Sequence, residues 1–107
     1  MAKHLVWVSF DLGIHGDYEG MYTWLDQHKA KECGDSVACF WYEHPGDLLQ
    51  DIKQDLTAKV SFNTNHRVYV IRLEDGKPRG KFILGGRRAP PWAGHAPSEE
   101  QGEDMDA

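Results

Sequence analysis

No stretch of this chain approaches the roughly 18 consecutive apolar residues that a membrane-spanning helix requires. Lys3-His4 ahead of Leu5 to Phe10 is too short and too broken to act as a secretion leader. Those two absences predict a cytoplasmic protein with no membrane partner. Cysteine is scarce: Cys33 and Cys39 cannot build a disulfide framework, and without a secretion signal they read as reduced thiols. Their spacing matches no zinc motif, and Cys33 with His28 lacks the third group that would orient a thiolate nucleophile. Gly-x-Gly-x-x-Gly, a phosphate-loop lysine and Gly-x-Ser-x-Gly are all missing, so no dinucleotide fold, P-loop or hydrolase elbow is written here. Gly85-Gly86-Arg87-Arg88 cannot cradle phosphate at a helix start, because Pro90 and Pro91 forbid the helix.

An excess of basic charge is also lacking. The formal charge of −5 misleads, since Glu99, Glu100, Glu103, Asp104 and Asp106 crowd the C-terminus. Removing those five from seventeen acidic residues leaves twelve against twelve basic ones, a neutral body. At 107 residues the chain supports one domain, burying roughly 60–65% of the surface its unfolded form exposes. Residues 1–97 make up that domain, including an extended proline-rich segment over 87–97. Residues 98–107 contain no aromatic or β-branched side chain and are expected to be a disordered acidic tail.

What the chain does have is organised around Leu5-Val6-Trp7-Val8-Ser9-Phe10-Asp11-Leu12-Gly13. Val6, Val8 and Phe10 point to one side of such a strand and Leu5 and Trp7 to the other, so both faces need cover. Gly13 to Asp17 then forms a loop ending in an N-cap. Tyr18, Met21, Tyr22 and Leu25 recur at helical spacing, predicting a helix to about Lys31 with Gly34 as its left-handed stop. Ser36 to Glu43 reads as a second buried strand. Asp47 to about Ala58 reads as a second helix, with Leu48, Leu49, Ile52 and Leu56 on one face. Val60 to Asn65 is loop. His66 to Leu73 and Arg79 to Leu84 are strands joined through Glu74-Asp75-Gly76-Lys77-Pro78, where Asp-Gly signals a hairpin.

The order β-α-β-α-β-β predicts a two-layer sandwich of the α+β or α/β class: a four-stranded sheet with both helices on one face. The other face would then carry Trp7, Trp41 and Tyr69. So much aromatic surface calls for a cover, which points to a homodimer or a protein partner there, with Pro90-Pro91-Trp92 as a competing lid. Trp7, Trp41, Tyr69 and Trp92 are therefore the candidate interface residues.

Val8-Ser9-Phe10-Asp11-Leu12, followed by Asp17-Tyr18-Glu19-Gly20-Met21-Tyr22 at a helix start, resembles the opening of a known superfamily. It is the ferredoxin-like superfamily of the small CRISPR-associated nuclease and its antitoxin-like relatives. The resemblance implies a strand-helix-strand-strand-helix-strand fold. It also implies that Asp11 sits at a dimer two-fold, where nuclease members hold a divalent metal such as Mg or Mn. Read from the residues alone, Asp11, His15 and Asp17 could contribute to such a site if the loop folds back. The plainer reading has Asp17 capping the helix, His15 solvated and Asp11 bonding loop amides.

Charge is unevenly placed. Residues 11–59 carry ten acidic and four basic side chains, and residues 67–88 carry two acidic and seven basic. Arg67, Arg72, Arg79, Lys81, Arg87 and Arg88, with Tyr69, Phe82 and Trp92 among them, match the basic-aromatic mix of a nucleic-acid surface. A basic strand pair beside acidic helices gives the same counts. Two functions follow: a non-enzymatic interaction protein that dimerises through its aromatic face, without cofactor, or a metal-dependent nuclease or nucleic-acid binder built on Asp11 and the basic hairpin. The first is preferred, because no carboxylate pair with a base stands at motif spacing.

Overall fold

A computed structural model describes residues 2–97. Its elements are β1 (Ala2–Asp11), α1 (Tyr18–Gln27), β2 (Lys31–Glu32), β3 (Val37–His44), α2 (Leu48–Lys59), β4 (Arg67–Glu74) and β5 (Lys77–Leu84). The strands form one sheet in the order β2-β3-β1-β4-β5, with every neighbouring pair antiparallel. The α+β class is as expected, but the sheet has five strands rather than four. The strand absent from the expected order β-α-β-α-β-β is β2.

The cause is local. Lys31 and Glu32 have no strand propensity of their own and look like the basic end of a helix. The helix ends sooner, at Gln27, because Lys29 turns left-handed (φ 56°) and the Ala30 amide closes back on the Leu25 carbonyl at 3.1 Å. Lys31 and Glu32 are then held only by pairing with Cys39 and Ala38. Gly34 is not the helix stop: it lies in the connection from β2 to β3, which the Cys33 amide closes on the Val37 carbonyl at 2.8 Å.

With β2 present, β1-α1-β2 and β3-α2-β4 are two interleaved β-α-β units. In each, the helix carries the chain back so that the two strands run parallel with a third strand between them. Asp17 caps α1 through the Gly20 amide (2.9 Å), and its other oxygen accepts the Ser61 amide just beyond α2 (3.0 Å). Asp47 caps α2 through the Gln50 amide. The β4-β5 turn is tighter than the expected five-residue connection. Asp75 and Gly76 both take positive φ, a two-residue hairpin turn, and Lys77 and Pro78 already belong to β5. Pro78 is tolerated because β5 is an edge strand.

Both helices pack on one face of the sheet. Val6, Val8 and Phe10 of β1, Phe40 and Tyr42 of β3, and Val68 and Val70 of β4 form one core with Met21, Trp24, Leu25, Ile52 and Leu56. Each large side chain buried this way contributes roughly 1.5–3 kcal/mol. The segment after β5 is not an extended lid. The Ala93 amide bonds the Pro90 carbonyl and the His95 amide bonds the Trp92 carbonyl, so the chain turns, leaving Trp92 72% exposed. The acidic tail predicted for 98–107 lies outside the described residues.

Candidate functional site

Strand alternation decides what the second face presents. Because Val6, Val8 and Phe10 point into the helix layer, Leu5, Trp7 and Ser9 point away from it. The register carries that pattern across the sheet: Trp41 stands opposite Leu5, Cys39 and Ile71 flank Trp7, Tyr69 stands opposite Ser9, and Phe82 opposite Tyr69. An apolar and aromatic band therefore crosses β3, β1, β4 and β5. Trp41 is 57% exposed, while Trp7 and Tyr69 are half-buried by their neighbours. Tyr69 meets Phe82 edge-on at 4.7 Å between ring centroids and lies over Gly80, where a Cβ would collide with its ring and hydroxyl. Glycine at position 80 is what lets the tyrosine lie flat.

Both ends of the band carry charged side chains. At one end Lys3 and Glu43 face each other in the β1-β3 register, and the Lys3 ammonium sits 5.9 Å from the Trp41 ring. At the other, Arg67 grips one oxygen of Asp11 through Nη2 (2.8 Å) and Nε (3.3 Å). The Arg67 hydrogen bond holds the Asp11 carboxyl below its ordinary range, partly opposed by burial and helped by the Gly13 amide and the positive field of Arg67 and Arg88. Arg87 covers the same corner, its guanidinium 5.5 Å from the Phe82 ring and 5.9 Å from that of Tyr69.

The residues singled out in the sequence divide accordingly. Trp7, Trp41 and Tyr69 share the open face, as expected, whereas Trp92 sits on the turn after β5. Asp11, His15 and Asp17 do not converge: Asp17 is spent on two backbone amides and Asp11 on Arg67. Among the described residues no group of three or more His, Cys, Asp or Glu side chains is placed to hold a metal ion. The six basic residues split in two. Arg67, Arg87 and Arg88 gather at the Asp11 corner, Arg88 also bonding the Asn65 carbonyl. Arg72 and Lys81 instead line a cleft against α2, and Arg79 pairs with Arg72 on that same side. Cys33 and Cys39 are free thiols, the Cys39 thiol pushed up by burial and then by Cys33.

Two polar clusters had no motif to announce them. Asp55 accepts the Trp24 indole N–H (3.0 Å) and the Tyr42 hydroxyl (3.2 Å), with Lys59 at 3.3 Å and His28 at 3.5 Å. Burial opposes ionisation of Asp55, but the Trp24 and Lys59 contacts outweigh it and leave the carboxyl below its usual range. Burial drives Tyr42 strongly upward, reinforced by the Asp55 charge, and pushes His28 down against the pull of Asp55. Two residues further along β3, His44 Nδ1 lies 2.7 Å from the Gly46 carbonyl, and His44 Nε2 lies 2.7 Å from His4 Nδ1. A carbonyl only accepts, so the neutral His44 carries its proton on Nδ1 and takes the His4 N–H on Nε2. Both clusters tie helices or strand ends together.

No family model, curated protein or solved structure matches the chain.

Proposed function

We propose that the protein is a small non-enzymatic interaction module that pairs with a second copy of itself through the open face of its sheet. The observation that carries this is the apolar and aromatic band that crosses β3, β1, β4 and β5 on the face no helix covers. At the Asp11 end the carboxylate is already held by Arg67, and along the band the apolar and aromatic side chains offer a second copy surface that costs little to desolvate. Trp41, more than half exposed at the band's edge, is the kind of aromatic anchor that dominates such interfaces. Light scattering at micromolar concentration tests the reading. A dimer that Trp41→Glu converts to a folded monomer is the expected result; a wild type that stays monomeric overturns it.

The order of the first four strands supports a ferredoxin-like assignment, with β5 added beside β4. The reading β-α-β-β-α-β needs only β2, the element that the sequence conceals. That assignment keeps a second reading in play, a nucleic-acid surface or metal-dependent nuclease at the Asp11 corner with Mg or Mn. Arg87 over Tyr69 and Phe82 favours it. The confinement of Arg72, Arg79 and Lys81 to the helix side counts against a continuous basic track. Salt-sensitive submicromolar binding of single-stranded RNA, lost on neutralising Arg87 and Arg88, would favour this second reading, as would Mg-dependent cleavage lost in Asp11→Asn.

A further inference from the structure

Successive residues of a strand send their backbone N–H and C=O groups to alternate sides. The Val37 carbonyl accepts from Cys33 and the Ser36 carbonyl from Phe10, so Val37 faces the β2 side and Ser36 the β1 side. Cys39, Trp41 and Glu43 therefore also aim their backbone groups toward the β2 side. Strand β2 reaches Cys39 and no further, because the chain peels away at Ala30 toward the end of α1. Among the described residues no strand pairs with Trp41 or Glu43 on that side.

A cleft of about 660 Å³ opens there. Lys3, Lys29 and Lys31 line it against the single carboxylate of Glu43, with Leu5 and Trp41 supplying apolar surface. The opposite edge of the sheet is guarded differently: β5 carries Pro78, exposed lysines at 77 and 81, and an irregular register beside Val68 and Tyr69, all features that discourage strand addition. None of the β3 residues from Phe40 to His44 is a proline, and no bulge interrupts their pairing with β1.

The geometry points to the free edge of β3 as a docking site for an extended acidic segment of a protein partner, added as a strand in line with β2. Backbone bonds to Trp41 and Glu43 supply the affinity, and the three lysines select acidic side chains. Alternate apolar side chains of the segment lie on Leu5 and Trp41. The chain's own residues 98–107 match this chemistry poorly, Met105 being their one large apolar side chain. Leu5, Trp41, Lys3 and Glu43 belong to the open-face band as well, so a docked segment and a second copy compete for that end of it, while neither Arg67 nor Asp11 takes part.

The test titrates the full chain with a short capped peptide of alternating glutamate and valine, read by tryptophan fluorescence and calorimetry. One peptide should bind per chain in the micromolar range, and Lys29→Glu with Lys31→Glu should weaken it by about tenfold or more. Glu43→Pro removes one edge N–H while also removing the only carboxylate in the cleft, so simple charge attraction predicts tighter binding and strand addition predicts weaker binding. If Glu43→Pro fails to fold, N-methylation of alternate peptide amides breaks the same bonds from the other side. No binding by the wild type, or unchanged binding after either backbone block, overturns the proposal. So does tighter peptide binding after truncation at Pro97, which would make the acidic tail the occupant.

Discussion

Strand β1 serves two faces with opposite fates. On one, Val6, Val8 and Phe10 are sealed under Trp24, Met21, Ile52 and Leu56; on the other, Leu5, Trp7 and Ser9 lie under no helix. The same residue types thus stabilise the fold on one face and remain on offer on the other. The distinction is set by where α1 and α2 pack, since both faces of the strand are apolar. Hydrophobicity alone does not separate core from contact surface.

The sharpest way to break the comparison is a cavity on the covered side. Leu56→Ala empties a fully buried position and should cost about 2–5 kcal/mol in denaturant unfolding. Trp41→Ala on the open side should change the stability of the monomer by no more than about 0.5 kcal/mol, yet weaken self-association by about 2 kcal/mol or more, measured by sedimentation against concentration. Equal losses of folding stability from both variants would erase the difference between the faces.

Acid sharpens it further. His28 packs on Phe40 and Tyr42 of the covered side, and burial lowers its folded pKa below the ordinary 6.5. The unfolded chain therefore binds the proton more readily, so this contribution is present above pH 6.5 and is lost as pH falls through the folded value. Asp11, Asp17 and Asp55 are also lowered; their contribution is present above the ordinary 3.8 and fades as pH falls beneath it. Thermal melts across pH should show two descending steps, and His28→Gln should remove the upper one alone. The smallest effect belongs to Asp11–Arg67 on the open side, an exposed pair whose double-mutant cycle should return about 0.2–1 kcal/mol.

The long elements were legible because their residues repeat at the right period. Met21, Leu25, Ile52 and Leu56 mark the helices and Val6, Val8 and Phe10 the central strand, while Asp75-Gly76 announces its own turn. The two-residue strand β2 was not, since Lys31 and Glu32 become a strand only through Cys39 and Ala38, partners that no local pattern reveals. That one omission turned the expected order into β-α-β-α-β-β. At the site, alternation was enough to bring Trp7, Trp41 and Tyr69 together. The division of the basic residues between two sides was not legible, because a count along the chain does not record that Tyr69 and Arg72, three apart, point to opposite faces. Asp55 was hidden for another reason: its partners Trp24 and Tyr42 come from α1 and β3.

The central position of β1 also orders the events of synthesis. Its two edges are filled by β3 and β4, and Asp11 meets Arg67 across 56 residues of sequence. On a ribosome, Leu5 to Phe10 emerges long before either neighbour exists, an apolar segment with both backbone edges unsatisfied. The sheet can close only after the second helix and β4 have followed, so this non-local pairing sets the pace of folding. Until then the nascent chain presents an apolar, β-branched strand without partners, and slowing translation between β1 and β4 lengthens that exposure.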